Sequence, residues 1–161
     1  MCLNARGYID RSNQEAGMER QPPRKRDEYL HFLTITTRWM DNDIYGHINN
    51  VQYYSYFDTV INRFLIDQQV LDIHAGEVIG LAVESHCNYF SSAAFPRDIE
   101  AGLRVGHLGR SSVRYEIGLF TSECEEAIAQ GHFVHVYVNR QSNLPVELPA
   151  DLRESLTKLA G

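Results

Sequence analysis

Residues 51–66 limit what this chain can fold into more than any other stretch. Val51, Tyr54, Phe57, Ile61, Phe64 and Leu65 recur at helical spacing, and Tyr53, Tyr56, Val60 and Ile66 widen the apolar face. A helix this apolar is expected to be deeply buried rather than to lie on a surface. The rest of the chain reads mostly as strand. Residues 29–39 are β-branched and aromatic. In 78–89 the odd positions Ile79, Leu81, Val83, Cys87 and Tyr89 are apolar, which places them on one face if the strand is regular. The same period of two runs through 98–108, through 111–121 (Val113, Tyr115, Ile117, Leu119) and through 127–139. A short helix fits 149–159, with Pro149 as its first residue. The order β-α-β-β-β-β-α, with tight turns between the later strands, is an α+β plan. An antiparallel sheet hides such a helix by curling around it.

The length, 161 residues, fits one domain. Residues 1–28 are polar and aperiodic, with Pro22-Pro23 and the basic run Arg24-Lys25-Arg26; they read as a flexible extension, leaving 29–161 as the folded body. The net charge of −6 argues against sequence-independent nucleic-acid binding, which needs a basic footprint. No apolar run reaches the ~18 residues of a membrane span. Cys2, Cys87 and Cys124 match no metal or redox spacing and read as reduced thiols. The expected location is therefore the cytoplasm, with no membrane association.

The polar loop ahead of the long helix is where chemistry concentrates. Asp41 and Asp43 stand two residues apart, and Gly46-His47 and Asn49-Asn50 lead into the helix. A helix N-terminus presents unpaired N–H groups and a partial positive charge, suited to a carbonyl oxygen on which negative charge builds. A carboxylate just upstream can face the same point, the arrangement that ester or thioester hydrolysis requires. An Asp-x-Asp loop also serves as turn and capping chemistry, so the local residues alone leave both readings open.

Arg38-Trp39-Met40-Asp41-Asn42-Asp43-Ile44-Tyr45-Gly46-His47-Ile48-Asn49-Asn50, followed by Tyr53, Tyr54 and Tyr56-Phe57-Asp58, resembles the signature of the 4-hydroxybenzoyl-CoA thioesterase family of hotdog proteins. The resemblance continues through Val83-Glu84-Ser85, Asn88-Tyr89, Phe95-Pro96, Leu108-Gly109-Arg110-Ser111-Ser112-Val113, Val138-Asn139-Arg140 and Pro145-Val146-Glu147-Leu148-Pro149. It implies a hotdog fold: a five-stranded antiparallel sheet wrapped around one long central helix, with a short C-terminal helix. It also implies a homodimer, or a dimer of dimers, joined sheet edge to sheet edge. The implied activity is hydrolysis of an acyl-CoA thioester, without metal or organic cofactor. Asp43 would be nucleophile or general base, and the backbone N–H near Asn50 the oxyanion donor. An acyl-carrier-protein thioesterase and a non-catalytic acyl-CoA-binding protein are the alternatives.

The remaining residues have more modest expectations. His47 either contacts the reacting group or serves loop structure, and Asp41 shapes the loop or acts as a second acid. Tyr54 belongs to the core or lines the pocket. Asp58, on the apolar helix, needs a partner. Arg110, with Ser111 and Ser112, is the first candidate for the CoA phosphates, and Arg97, Arg104, Arg114 and Arg140 are others. Tyr45, Phe57, Leu81, Phe90 and Phe95 are candidates for the acyl pocket. Asn139 stands where relatives often carry Asp. The strand at 78–89 is the expected dimer edge.

Overall fold

A computed structural model describes residues 21–161. The first twenty residues, most of the expected extension, lie outside the described ones. The elements are β1 (His31–Ile35), α1 (Asn50–Asp67), β2 (Val78–Tyr89), β3 (Ile99–Leu108), β4 (Ser112–Phe120), β5 (Ala129–Asn139) and α2 (Ala150–Thr157). The five strands form one sheet in the order β1-β3-β4-β5-β2, and every pairing is antiparallel. With α1 against one face and α2 at the C-terminus, this is the hotdog fold. The strand expected over 29–39 is shorter, because a 3-10 turn at Trp39–Asp41 takes the chain out of the ladder.

The core lies between α1 and one face of the sheet. Ile99, Ala101, Leu103 and Val105 of β3 and Val113, Tyr115, Ile117 and Leu119 of β4 are all buried there. From the helix come Tyr53, Tyr56, Phe57, Val60, Ile61, Phe64 and Leu65. Val51, Ser55, Asp58, Arg63 and Ile66 are exposed, so among the described residues α1 is covered on one side only. That corrects the expectation of a deeply buried helix: the sheet of a single chain curls too little to reach the far side.

β2 departs from simple alternation. Its register on β5 shifts between Ala82 and Glu84, a bulge at Val83. Before the bulge Gly80 and Ala82 share the helix-side face with Tyr137 and His135; after it Ser85, Cys87 and Tyr89 do, opposite Phe133, Gly131 and Ala129. One extra residue flips every side chain beyond it. Leu81 therefore points to the outer face and cannot line a helix-side pocket, contrary to expectation. β2 is an edge strand, and Val83 is 61% exposed.

The outer face is crossed by the segment before β1. The Arg24 N–H donates to Gln130 Oε1 at 2.7 Å, and Ala127 N–H donates to the Arg24 carbonyl at 2.9 Å. The Arg24 guanidinium pairs with Glu116 at 2.7 Å. Arg26 pairs with Glu100 and lies 4.9 Å above the centre of the Phe120 ring. Tyr29 packs where β3 and β4 have no side chain: a Cβ on Gly118 would stand 2.6 Å from its hydroxyl oxygen. Residues 22–28 thus pack on the body instead of trailing from it, because the charges of Arg24 and Arg26 meet carboxylates of the sheet. Cys87 is a free thiol, as expected, and Cys2 lies outside the described residues.

Candidate active site

The turn Trp39–Asp41, the loop after it and the first turn of α1 form one unit. Asn42 bridges to Ile48, and the Asp43 N–H donates to the His47 carbonyl at 2.8 Å. The base is closed by Asn49 N–H donating to the Asp41 carbonyl, also at 2.8 Å. Gly46, at φ 80°, turns the chain at the tip, and its N–H reaches the Asp43 carbonyl at 3.0 Å. The loop is a small hairpin whose tip, Ile44 and Tyr45, is 93% and 83% exposed. A second segment supports its base: Ile48 N–H donates to the Ala93 carbonyl and Phe95 N–H to Asn42 Oδ1.

The two carboxylates sit very differently. Asp41 is 1% exposed. Its Oδ2 accepts from the Arg38 backbone N–H at 2.8 Å and from the Tyr56 hydroxyl at 2.9 Å. Its Oδ1 accepts from the Arg38 guanidinium at 3.0 and 2.8 Å. Burial pushes its pKa up, but the Arg38 and Tyr56 hydrogen bonds outweigh that and hold it below its ordinary value. Every acceptor direction is used, so Asp41 shapes the loop. Asp43 is half-buried. Its Oδ1 accepts from Tyr45 N–H at 2.8 Å and, more loosely, from His47 N–H at 3.4 Å. Among the described residues nothing donates to its Oδ2.

Asn49 caps the helix, its Oδ1 accepting from Val51 N–H at 3.2 Å. Asn50 is the first helical residue, and its N–H has no acceptor among the described residues. Its carbonyl is met by the Tyr89 hydroxyl at 3.3 Å. The hairpin that carries Asp43, with one open oxygen, therefore closes at Asn49, directly before the unpaired Asn50 amide. Tyr53 packs edge-on to Tyr89, their centroids 5.1 Å apart. Burial, then Cys87, raise the Tyr53 hydroxyl to about 12 against the Ala93 contact, with a further small push from the charge of Asp43. Burial also lifts the Cys87 thiol to about 11, too high for a nucleophile at neutral pH.

Other expected site residues lie elsewhere. The His47 ring is exposed, and its backbone serves the hairpin. Tyr54 stacks on Phe133, centroids 6.1 Å apart, and is partly buried against the core. Asp58 faces outward and accepts from Asn62 Nδ2 at 3.0 Å, so its partner is a neighbour on the same helix. Arg110 is 84% exposed in the β3–β4 turn and only 3.6 Å from Glu147. Ile99 begins β3 at the loop end, so Arg110 stands about 30 Å away along the strand, by the rise per residue. Ser111 and Ser112 share that remote turn. Arg104 and Arg114 are paired with Glu116 on the outer face, and Arg140 binds the carbonyls of Ile73 and Gly76. Arg97 alone of these is near the hairpin: its carbonyl accepts from Thr37 Oγ1, and its guanidinium meets Glu123 at 3.4 Å. No group of three or more His, Cys, Asp or Glu among the described residues is placed to hold a metal ion.

The sequence marks Tyr56 only as part of the apolar helix face and gives Arg38 no site role. The signal was present as an Arg three residues before an Asp and a Tyr on the helix face that meets the loop.

This is the fold of the hotdog thioesterases, and residues 37–156 match the family model described as the thioesterase-like superfamily. The chain belongs to that superfamily, and it is a thioester hydrolase. It is 56% identical to the PA5185 protein of Pseudomonas aeruginosa, over 87% of this chain and 98% of that one, with a TM-score of 0.85. The PA2801 protein of the same bacterium, a proposed thioesterase, is 27% identical over 79% of this chain and 98% of its own, with a TM-score of 0.74. Slr0204, a 1,4-dihydroxy-2-naphthoyl-CoA thioesterase from Synechocystis, shares the fold at 14% identity, 80% and 96% coverage and a TM-score of 0.72. Comparison with curated proteins finds no match.

Proposed function

We propose that the protein hydrolyses an acyl-CoA thioester, with Asp43 as the reacting carboxylate and the Asn50 N–H as oxyanion donor. The observation that carries this reading is an open carboxylate oxygen on a hairpin that closes directly onto the helix start, where the Asn50 amide is unpaired among the described residues. The thioester oxygen approaches Asn50, where an unpaired N–H and the helix dipole stabilise the charge that develops. Asp43 Oδ2 either takes a proton from water as that water attacks, or attacks the carbonyl carbon itself to give an anhydride that water then opens. Both routes end in the free acid and the CoA thiol, and both balance with water alone.

The phosphates of CoA need cations. Within one chain Arg97 is the nearest candidate, since its surface pair with Glu123 is weak. An antiparallel pairing of two β2 edges would place the second copy's Arg110 turn at the Asp43 end of the first. It would lie three strands across, about 14 Å at the usual spacing. Such a homodimer would also cover the exposed side of α1 and the open edge of β2.

The test is thiol release across CoA esters from acetyl to palmitoyl and benzoyl, each repeated with the acyl group on acyl-carrier protein. Turnover of CoA esters at micromolar KM is expected. Faster turnover of carrier-bound esters would move the assignment to the carrier. Tight binding with no thiol released from any ester would make the protein a binder.

A further inference from the structure

The tip of the hairpin that carries Asp43 is almost wholly in solvent, so its position is inherited from its base. That base is tied to the long helix through Asp41. On one side the carboxylate grips Arg38, by backbone and guanidinium; on the other it takes the hydroxyl of Tyr56, which lies well inside α1. The Asp41 carbonyl also receives the N–H of Asn49, the residue that caps the helix. One buried residue thus joins the strand exit, the hairpin base and the helix start.

We infer that Arg38, acting through Asp41 and Tyr56, is a positioning residue that fixes Asp43 relative to the Asn50 N–H. The inference rests on the roles proposed above for Asp43 and Asn50. Arg38 supplies the only positive charge bonded to the Asp41 carboxylate among the described residues, yet its own side chain is 60% exposed. The latch is therefore held by a cation that faces water, on a carboxylate that does not. With the guanidinium removed, the buried carboxylate loses its counter-charge, and the base of the hairpin can shift. A displacement of about 1 Å at the reacting group costs on the order of 100-fold in rate. The loss falls on kcat, because the geometry of attack changes while the surface that binds CoA does not.

The test is Arg38→Ala, with kcat and KM measured on the best ester, and with amide hydrogen exchange at Tyr45, His47 and Asn49. The expected result is a fall in kcat of about 100-fold with KM little changed. Tens of millimolar guanidinium should restore part of the rate where equal sodium chloride does not. Exchange at those three amides should be faster. Unchanged kcat, a change confined to KM, or a loss that guanidinium does not relieve would overturn the latch. If Arg38→Ala does not fold, Tyr56→Phe decides by the same kcat, KM and exchange criteria, without the rescue arm. If the wild type releases no thiol from any ester, the hydrolase reading fails on its own, and exchange alone decides this one: unaltered amides overturn it.

Discussion

Asp41 and Asp43 are the same residue type two positions apart, and their surroundings separate them. Asp41 spends both oxygens on Arg38 and Tyr56, whereas Asp43 keeps one open. Asp41→Ala should therefore strand the Tyr56 hydroxyl and lower stability by about 2 kcal/mol, read as a shift in urea midpoint. The pH dependence has a definite sign. The folded state holds the Asp41 pKa below its ordinary value, so its contribution is present above about pH 4 and is lost as pH falls through the lowered value. In Asp41→Asn that part of the acid dependence should disappear from urea titrations run between pH 5 and pH 2. The spacing of the two acids was legible in the sequence, but the division of labour was not. It depends on which carboxylate Tyr56 reaches, and that contact spans 15 positions. Arg110 is hard to place for the opposite reason: a cation in a turn has a residue type but no address until the strands, and the copy they belong to, are laid out.

Among the elements, β2 shows what alternation can and cannot tell. Its bounds, Val78–Tyr89, are those expected from the sequence, yet Leu81 and Cys87 lie on opposite faces. A bulge leaves no mark in a run of apolar residues, because both halves keep their period of two. α1 was legible in extent for the converse reason: seven buried residues at helical spacing fix both type and length. The neighbouring β5 tolerates little change where it meets β2. A Cβ on Gly131 would collide with the His86 carbonyl and stand 2.7 Å from the Phe57 ring. Backbone cannot give way there as a flexible side chain could. Gly131→Ala should cost about 3 kcal/mol and lower Tm by about 10 °C. Gly118→Ala should cost less, since Tyr29 on the crossing segment can swing aside.

At the scale of the whole molecule, two surfaces of the described residues are open: the long β2 edge and the polar stripe of α1 with Val51 and Ile66. A second copy in two-fold relation would cover both. Val83→Arg should then shift the protein towards monomer in sedimentation, and thioesterase activity should fall with it if the site draws on both copies. Acid should also act globally. Burial holds His31 and His135 below the ordinary histidine value, against smaller opposing pushes from Asp67 and Asp58. Their neutral forms favour the fold, so stability should decline as pH drops below about 6.5, before the Asp41 latch is lost. The fold was legible from one apolar helix and four alternating segments. The packing of residues 22–28 was not, because Arg24 and Arg26 read as solvated charge until their carboxylate partners on the sheet are in place.

The claim on which the rest depends is that Asp43 carries the chemistry while Asp41 only holds the loop. It is tested most directly by kcat of Asp43→Asn on the best CoA ester, with thermal melting recorded on the same sample. The account predicts a fall of about 10²–10⁴-fold with a Tm near that of the wild type. Turnover close to the wild-type rate in a folded Asp43→Asn protein would contradict it.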